Sequence, residues 1–168
     1  DESKIDEGYE QDKTNPWVDE NGDPVEVPYK VKEDGNPTEI KPNIVPSTDT
    51  AYTVEIYLMG TDGKYADVAS STVSKTGTTD TKATAAYADY APAETYYSAD
   101  ETAEGTVTET TITGNGKAVL KLYFKRATVE ITVNGETDDY YIGEEIPVPV
   151  VDESKIDEGY EQDKTNPW

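Results

Sequence analysis

Residues 1–17, DESKIDEGYEQDKTNPW, recur letter for letter as residues 152–168. Two identical copies starting 151 positions apart, at Asp1 and Asp152, mark a tandem array with a long period. The 168-residue chain then holds one period plus a short overlap, and it reads as a slice of a longer protein. Any fold assigned to it must survive being joined end to end.

Composition narrows the class. Thirty-six acidic side chains oppose 14 basic ones, a formal charge of −22. Phosphate backbones and anionic bilayers both require a basic face, so nucleic acid is excluded as a partner and anionic membrane surfaces with it. No apolar run approaches the about 20 residues of a membrane-spanning helix, so membrane insertion is not expected. With neither Cys nor His, the chain lacks a thiol nucleophile, a disulfide framework, the commonest general base and the usual zinc ligands. No enzyme activity and no cofactor are expected. The hydrophobic fraction is 34%, low enough for disorder, but the apolar residues fall in alternating runs and 13 Tyr supply large amphipathic rings. A β-rich fold with thin cores follows.

Residues 51–126 read as one intact module. Tyr52–Leu58 alternates as a half-buried strand, Asp62-Gly63 supplies a turn, and Tyr65–Ser74 reads as the return strand. Thr76–Thr79 breaks the pattern. The Ala-rich stretch Lys82–Tyr90 is the helix candidate, stopped by Pro92. Thr106–Thr113 and Lys117–Lys125 complete an order β-β-α-β-β.

The two ends make sense as one circle. Thr128–Val133, an Asn134-Gly135 turn and the apolar segment Tyr140–Val151, with edge-type Pro147 and Pro149, form residues 127–168 as the N-terminal half of a second module. Asp152–Glu158 offers one or two helical turns ended by Gly159, and Tyr160 to Trp168 runs extended. Residues 1–46 supply the C-terminal half, with Trp17-Val18, an Asn21-Gly22 hairpin, Val25–Val31 and Thr38–Val45 as strands. The short joints, Pro46–Thr50 and the surroundings of Arg126, favour a stiff array.

The segments TVEITVNG (128–135), YYIGEEIPVP (140–149), EGYE (158–161) and NPWVDENGDPVEVPYKV (15–31) resemble the internalin-type B-repeat. TVEIYLMGTDGKYA (53–66) and KAVLKLYFKR (117–126) resemble the mucin-binding-protein-like repeats that neighbour it. The resemblance implies a β-rich α+β architecture: two small β-grasp (ubiquitin-like) modules per repeat, the second split between the chain ends. It also implies a cell-wall-attached, extracellular surface protein of Gram-positive bacteria, its signal and anchor outside this fragment. Such modules serve as the stalk of an adhesin or as adhesive units that bind host mucin glycan or matrix protein. The expected partners are neighbouring copies of the same repeat, head to tail through the split module, and a host glycoprotein in the adhesive case.

Candidate chemistry is sparse. Asp19, Asn21 and Asp23 echo a calcium loop, but an EF-hand needs Gly at its sixth position and Glu at its twelfth. Here those are Pro24 and Lys30, and an acidic hairpin turn is the better account. Tyr96-Tyr97, Tyr140-Tyr141 and the Trp copies could build a sugar platform; alternation instead predicts one Tyr of each pair inward and one at the surface. A Lys–Asn isopeptide crosslink needs a buried Lys, Asn and acid together, and no such triad stands out among the strand residues.

Overall fold

The computed structural model describes residues 5–133 and 135–147. The fold is strand-rich, and no α-helix occurs among the described residues. Among the described residues twelve strands run in order: β1 Tyr9–Gln11, β2 Trp17–Asp19, β3 Ile40–Pro42, β4 Ile44–Pro46, β5 Thr50–Leu58, β6 Ser71–Gly77, β7 Lys82–Thr84, β8 Tyr97–Ala99, β9 Glu109–Thr111, β10 Ala118–Arg126, β11 Thr128–Val133 and β12 Glu136–Tyr141.

The centre is a four-stranded sheet in the order β6-β5-β10-β8. β5 and β10, the two longest alternating runs, lie side by side and parallel, from Ala118 opposite Tyr52 to Phe124 opposite Leu58. Alternation sends Val54 and Ile56 of β5 and Leu120, Leu122 and Phe124 of β10 to one face, where Ala83, Ala85 and Ile112 close over them. Burying each large aliphatic or aromatic side chain here stabilises the fold by roughly 1.5–3 kcal/mol.

Lys82–Tyr90 is not a helix. Lys82–Thr84 pairs antiparallel with β9, Lys82 opposite Thr111, and a single 3-10 turn covers Tyr87–Tyr90. Ala83 and Ala85 alternate inward onto the core, and Tyr87 meets Phe124 edge-on at 5.3 Å between ring centroids. A helix would have turned only one of those alanines inward with the tyrosine; period-two burial outweighs alanine's helix propensity. The order β-β-α-β-β is therefore corrected to an all-strand module with one 3-10 turn.

Other boundaries move as well. The return strand is Ser71–Gly77 rather than Tyr65–Ser74, because residues 59–70 form a loop that carries Tyr65 over the sheet. It passes through the expected Asp62-Gly63 turn, where Gly63 has φ +72°. Thr106–Thr113 shortens to β9 plus a bridge from Val107 to Lys121. Val25–Val31 forms no strand: only Pro24 bridges to Val18, and Val31 is 79% exposed. Thr38–Val45 resolves into β3 and β4.

At the C-terminal side, β11 and β12 form a two-stranded hairpin, Thr128 opposite Tyr141 through Val133 opposite Glu136. The strand on this side ends at Tyr141, so Pro147 follows it rather than lying within it. Asn134, Pro149, the end of the Tyr140–Val151 segment and the helical and extended expectations for 152–168 lie outside the described residues.

Candidate functional site

Residues 9–19 and 40–46 make one antiparallel ribbon with a bulge in its middle. β1 pairs with β4 and β2 with β3, while Asp12 to Pro16 loop out opposite the single residue Asn43. The bulge is stitched on both sides. The Asp12 amide donates to the Asn43 carbonyl at 2.9 Å, and the Asn43 amide to the Pro16 carbonyl at 3.0 Å. The Asp12 carboxylate accepts from the Thr14 and Asn15 amides at 2.7 and 3.0 Å, which holds its pKa below the usual carboxylate value, Asn15 contributing most.

The same ladder occurs again at the end of the central module. β8 pairs with β10 as Tyr97–Arg126, Ser98–Lys125 and Ala99–Phe124; β1 pairs with β4 as Tyr9–Pro46, Glu10–Val45 and Gln11–Ile44. The next residue is Asp in both, its amide bonded to the carbonyl of Tyr123 (2.8 Å) or of Asn43 (2.9 Å). After a bulge, Val107 meets Lys121 and Val18 meets Lys41. Tyr, Asp, Val and Lys thus occupy matching positions in two ladders of one register.

A second correspondence links the hairpins. Thr-Val-Glu-Ile stands at 53–56 in β5 and at 128–131 in β11, and each strand pairs antiparallel with the strand that follows it. Their surroundings differ. β5 is flanked by β6 and β10, and Val54 is fully buried; β11 pairs only with β12 among the described residues, and Val129 is 44% exposed. The outer edge of β3 and β4, opposite their pairing with β2 and β1, is likewise unpaired among the described residues.

Two joints fasten these pieces to the central module. At the first, the Ser47 amide bonds the Gly8 carbonyl at 2.8 Å and the Thr79 amide bonds the Ser47 carbonyl at 2.9 Å. The Tyr9 hydroxyl reaches the Asp80 carboxylate. Gly8 and Gly114 lie back to back, and a Cβ on Gly114 would collide with the Glu7 carbonyl. At the second joint stands Arg126, the only arginine of the chain. Its guanidinium donates to the carbonyls of Met59 at 3.1 Å and Ile142 at 2.7 Å and to the Tyr97 hydroxyl. It also lies over the rings of Tyr96 and Tyr97, at 5.1 and 4.9 Å. One planar fork thereby ties the end of β5, the start of β8 and the end of the β11–β12 hairpin.

The solvent-side face of the central sheet carries a tyrosine cluster. Tyr57 and Tyr123 stack at 4.6 Å, Tyr65 meets Tyr123 edge-on, and Lys121 lies 3.5 Å from Glu55. Tyr65 donates to Asp100 at 2.9 Å; burial and that bond push its phenol pKa well up. Burial alone would raise Asp100, but the hydrogen bonds from Tyr65 and Thr102 outweigh it and leave its pKa lowered. A cleft of about 450 Å3 adjoins the cluster, lined also by Asp67 and Glu104. Stacking on a sugar needs a free ring face, and Tyr57 and Tyr123 are only 6% and 9% exposed. The cluster is a second small core.

The residues singled out in the sequence are dispersed. Asp19 caps its own turn, accepting the Asn21 and Asp23 amides at 2.8 and 2.9 Å, and its pKa is lowered mainly by the Asp23 amide. Among the described residues no group of three or more acidic side chains is gathered to hold a metal ion. Tyr96 and Tyr97 are both half-buried against Arg126, not divided between inside and outside. Tyr141 packs its hydroxyl on Gly63, and Trp17 is half-buried in β2. Trp168 lies outside the described residues. Arg126 was named in the sequence only as part of a joint; its being the sole arginine was the available signal.

No family model, characterised protein or solved structure matches this chain.

Proposed function

We propose that this chain is a spacer repeat of a long, acidic bacterial surface protein, holding a distal binding domain away from a cell wall. The observation that carries the reading is the internal periodicity. An identical 17-residue segment at both ends joins 128–168 to the sequence of 18–46, and the β1–β4 ladder repeats the register of the β8–β10 ladder, each starting at a Tyr. On this reading the central module is a β-grasp variant: a hairpin, β5–β6, whose first strand lies parallel to the last strand, β10. β11, β12 and β1–β4 are then the two halves of a second such module. The fixed joints at Gly8–Gly114 and Arg126 favour a stiff rod. The chain's charge of −22 includes the −4 of the duplicated 17-residue segment, and the −18 left on each 151-residue period opposes collapse and lateral clumping.

The adhesive reading, in which each module itself binds a host glycan or matrix protein, draws less support, since the central aromatic rings are covered. Small-angle scattering on chains of one, two and four periods tests the spacer reading. A maximum dimension that grows in proportion to the number of periods is expected; compact particles would sink it.

A further inference from the structure

The edges of β11 and of β3–β4 that are unpaired among the described residues are complementary, and the central module supplies the template for joining them. The matching ladders place Leu120, Lys121 and Phe124 of β10 in correspondence with Ile40, Lys41 and Ile44. The shared Thr-Val-Glu-Ile places Val54, Glu55 and Leu58 of β5 in correspondence with Val129, Glu130 and Val133. In the central sheet Leu120 faces Val54, Lys121 faces Glu55 and Phe124 faces Leu58.

We propose that β3–β4 of one copy of this chain adds to β11 of a second copy as a parallel strand, with Ile40 opposite Val129, Lys41 opposite Glu130 and Ile44 opposite Val133. The inference rests on the two-module reading above.

Three observations converge on this register. The first is charge: the Lys121–Glu55 pair at 3.5 Å becomes Lys41–Glu130, one of few cation–anion matches available on so acidic a surface. The second is burial: Ile44 and Val129, 40% and 44% exposed, fall on the face that β5 and β10 bury. The third is backbone direction. Asn43 turns both its amide and its carbonyl toward the β1–β2 side, so its neighbours Pro42 and Ile44 direct theirs to the free edge. Pro42 has no amide hydrogen and offers its carbonyl alone, so the ladder is one bond short there. Because the donor edge and the acceptor edge are different surfaces of one chain, the contact is head to tail and does not close on itself.

The test is sedimentation velocity over a hundredfold concentration range in about 0.15 M salt, where screening reaches about 8 Å. The samples are the chain itself, Lys41→Glu, Glu130→Lys, an equimolar mixture of the two, and the double variant. Oligomers that lengthen with concentration are expected for the parent. Each single reversal should weaken association by roughly 3–10-fold, the range for exposed pairs turned repulsive. The mixture and the double variant should regain it. Association that ignores all the reversals overturns the register, and a monomer at every concentration overturns the docking.

A chain extended after Trp168 by the sequence of residues 18–46 separates the two levels. The extension supplies the missing strand to β11 within one molecule, so added cooperative stability and loss of oligomers are expected. If the extension changes neither melting nor association, the two-module reading itself fails. If it adds stability while the parent stays monomeric, that reading stands and only the docking between copies falls.

Discussion

Replacing Arg126 by alanine should loosen the joint between the central sheet and the β11–β12 hairpin while leaving the core intact. The one guanidinium bond that crosses the joint is to the Ile142 carbonyl, at 2.7 Å. A hydrogen bond with one charged partner contributes about 1.5–3 kcal/mol, and the half-exposed setting argues for the lower end. About 1.5 kcal/mol is roughly tenfold in an opening equilibrium. The contacts to Met59, Tyr97 and the two tyrosine rings stay within the central module, so part of the loss falls on its own stability. Amide hydrogen exchange resolved by residue is the assay. The Ile142 amide, bonded to the Ala127 carbonyl at 3.1 Å, should exchange about tenfold faster, and the amides of β10 should shift much less. Arg126→Lys keeps the charge but cannot span two carbonyls and a hydroxyl from one planar group, so it should recover only part of the protection. Unchanged exchange at Ile142 in Arg126→Ala would refute the clamp. Equal acceleration throughout β10 and β12 would show instead that the residue acts on global stability.

Two further outcomes follow from burial. Thr50 and Thr79 share a hydrogen bond of 2.7 Å inside the fold, and Thr79 is 1% exposed. Thr79→Val should cost about 1–3 kcal/mol by stranding the Thr50 hydroxyl. The Thr50→Val/Thr79→Val double variant should cost less than that single change, and a larger cost in denaturant melts would contradict the account. Val54→Ala, at a fully buried site, should cost about 2 kcal/mol. Val129→Ala in the identical tetrapeptide should cost under about 1 kcal/mol at concentrations where the chain is monomeric. Equal costs would mean that β11 is already covered.

The strands β5, β10 and β11 were legible because each alternates over six or more residues, and a period-two pattern needs no partner to be recognised. The Asp62-Gly63 turn was legible for a similar reason, since positive φ at glycine is a local demand. Lys82–Tyr90 misled because alanine is equally at home in a helix and in a tight space under a sheet. Which of those it occupies depended on Ile112 and Phe124, distant in sequence. Val25–Val31 misled in the opposite way: the contact with β2 ends at Val25, whose amide bonds the Trp17 carbonyl, while Val27 and Val31 stand exposed, and alternation without a partner surface does not make a strand. The joints could be placed in the sequence but the contacts that lock them could not, because Gly8 against Gly114 and Arg126 against Ile142 bring together segments whose spacing carries no pattern.

What the amino-acid order determined by itself was the recurrence of one 17-residue segment 151 positions on, the lack of Cys and His residues, the acidic charge balance and the strand-bearing character of the chain. Those depend on identity and local alternation alone. Only the tertiary structure decided that β5 lies parallel to β10, that the β1–β4 ladder copies the register of the β8–β10 ladder, and that Val54 is buried while Val129 is not. The same four residues, Thr-Val-Glu-Ile, meet different fates because burial belongs to the neighbouring strand, not to the sequence that is buried.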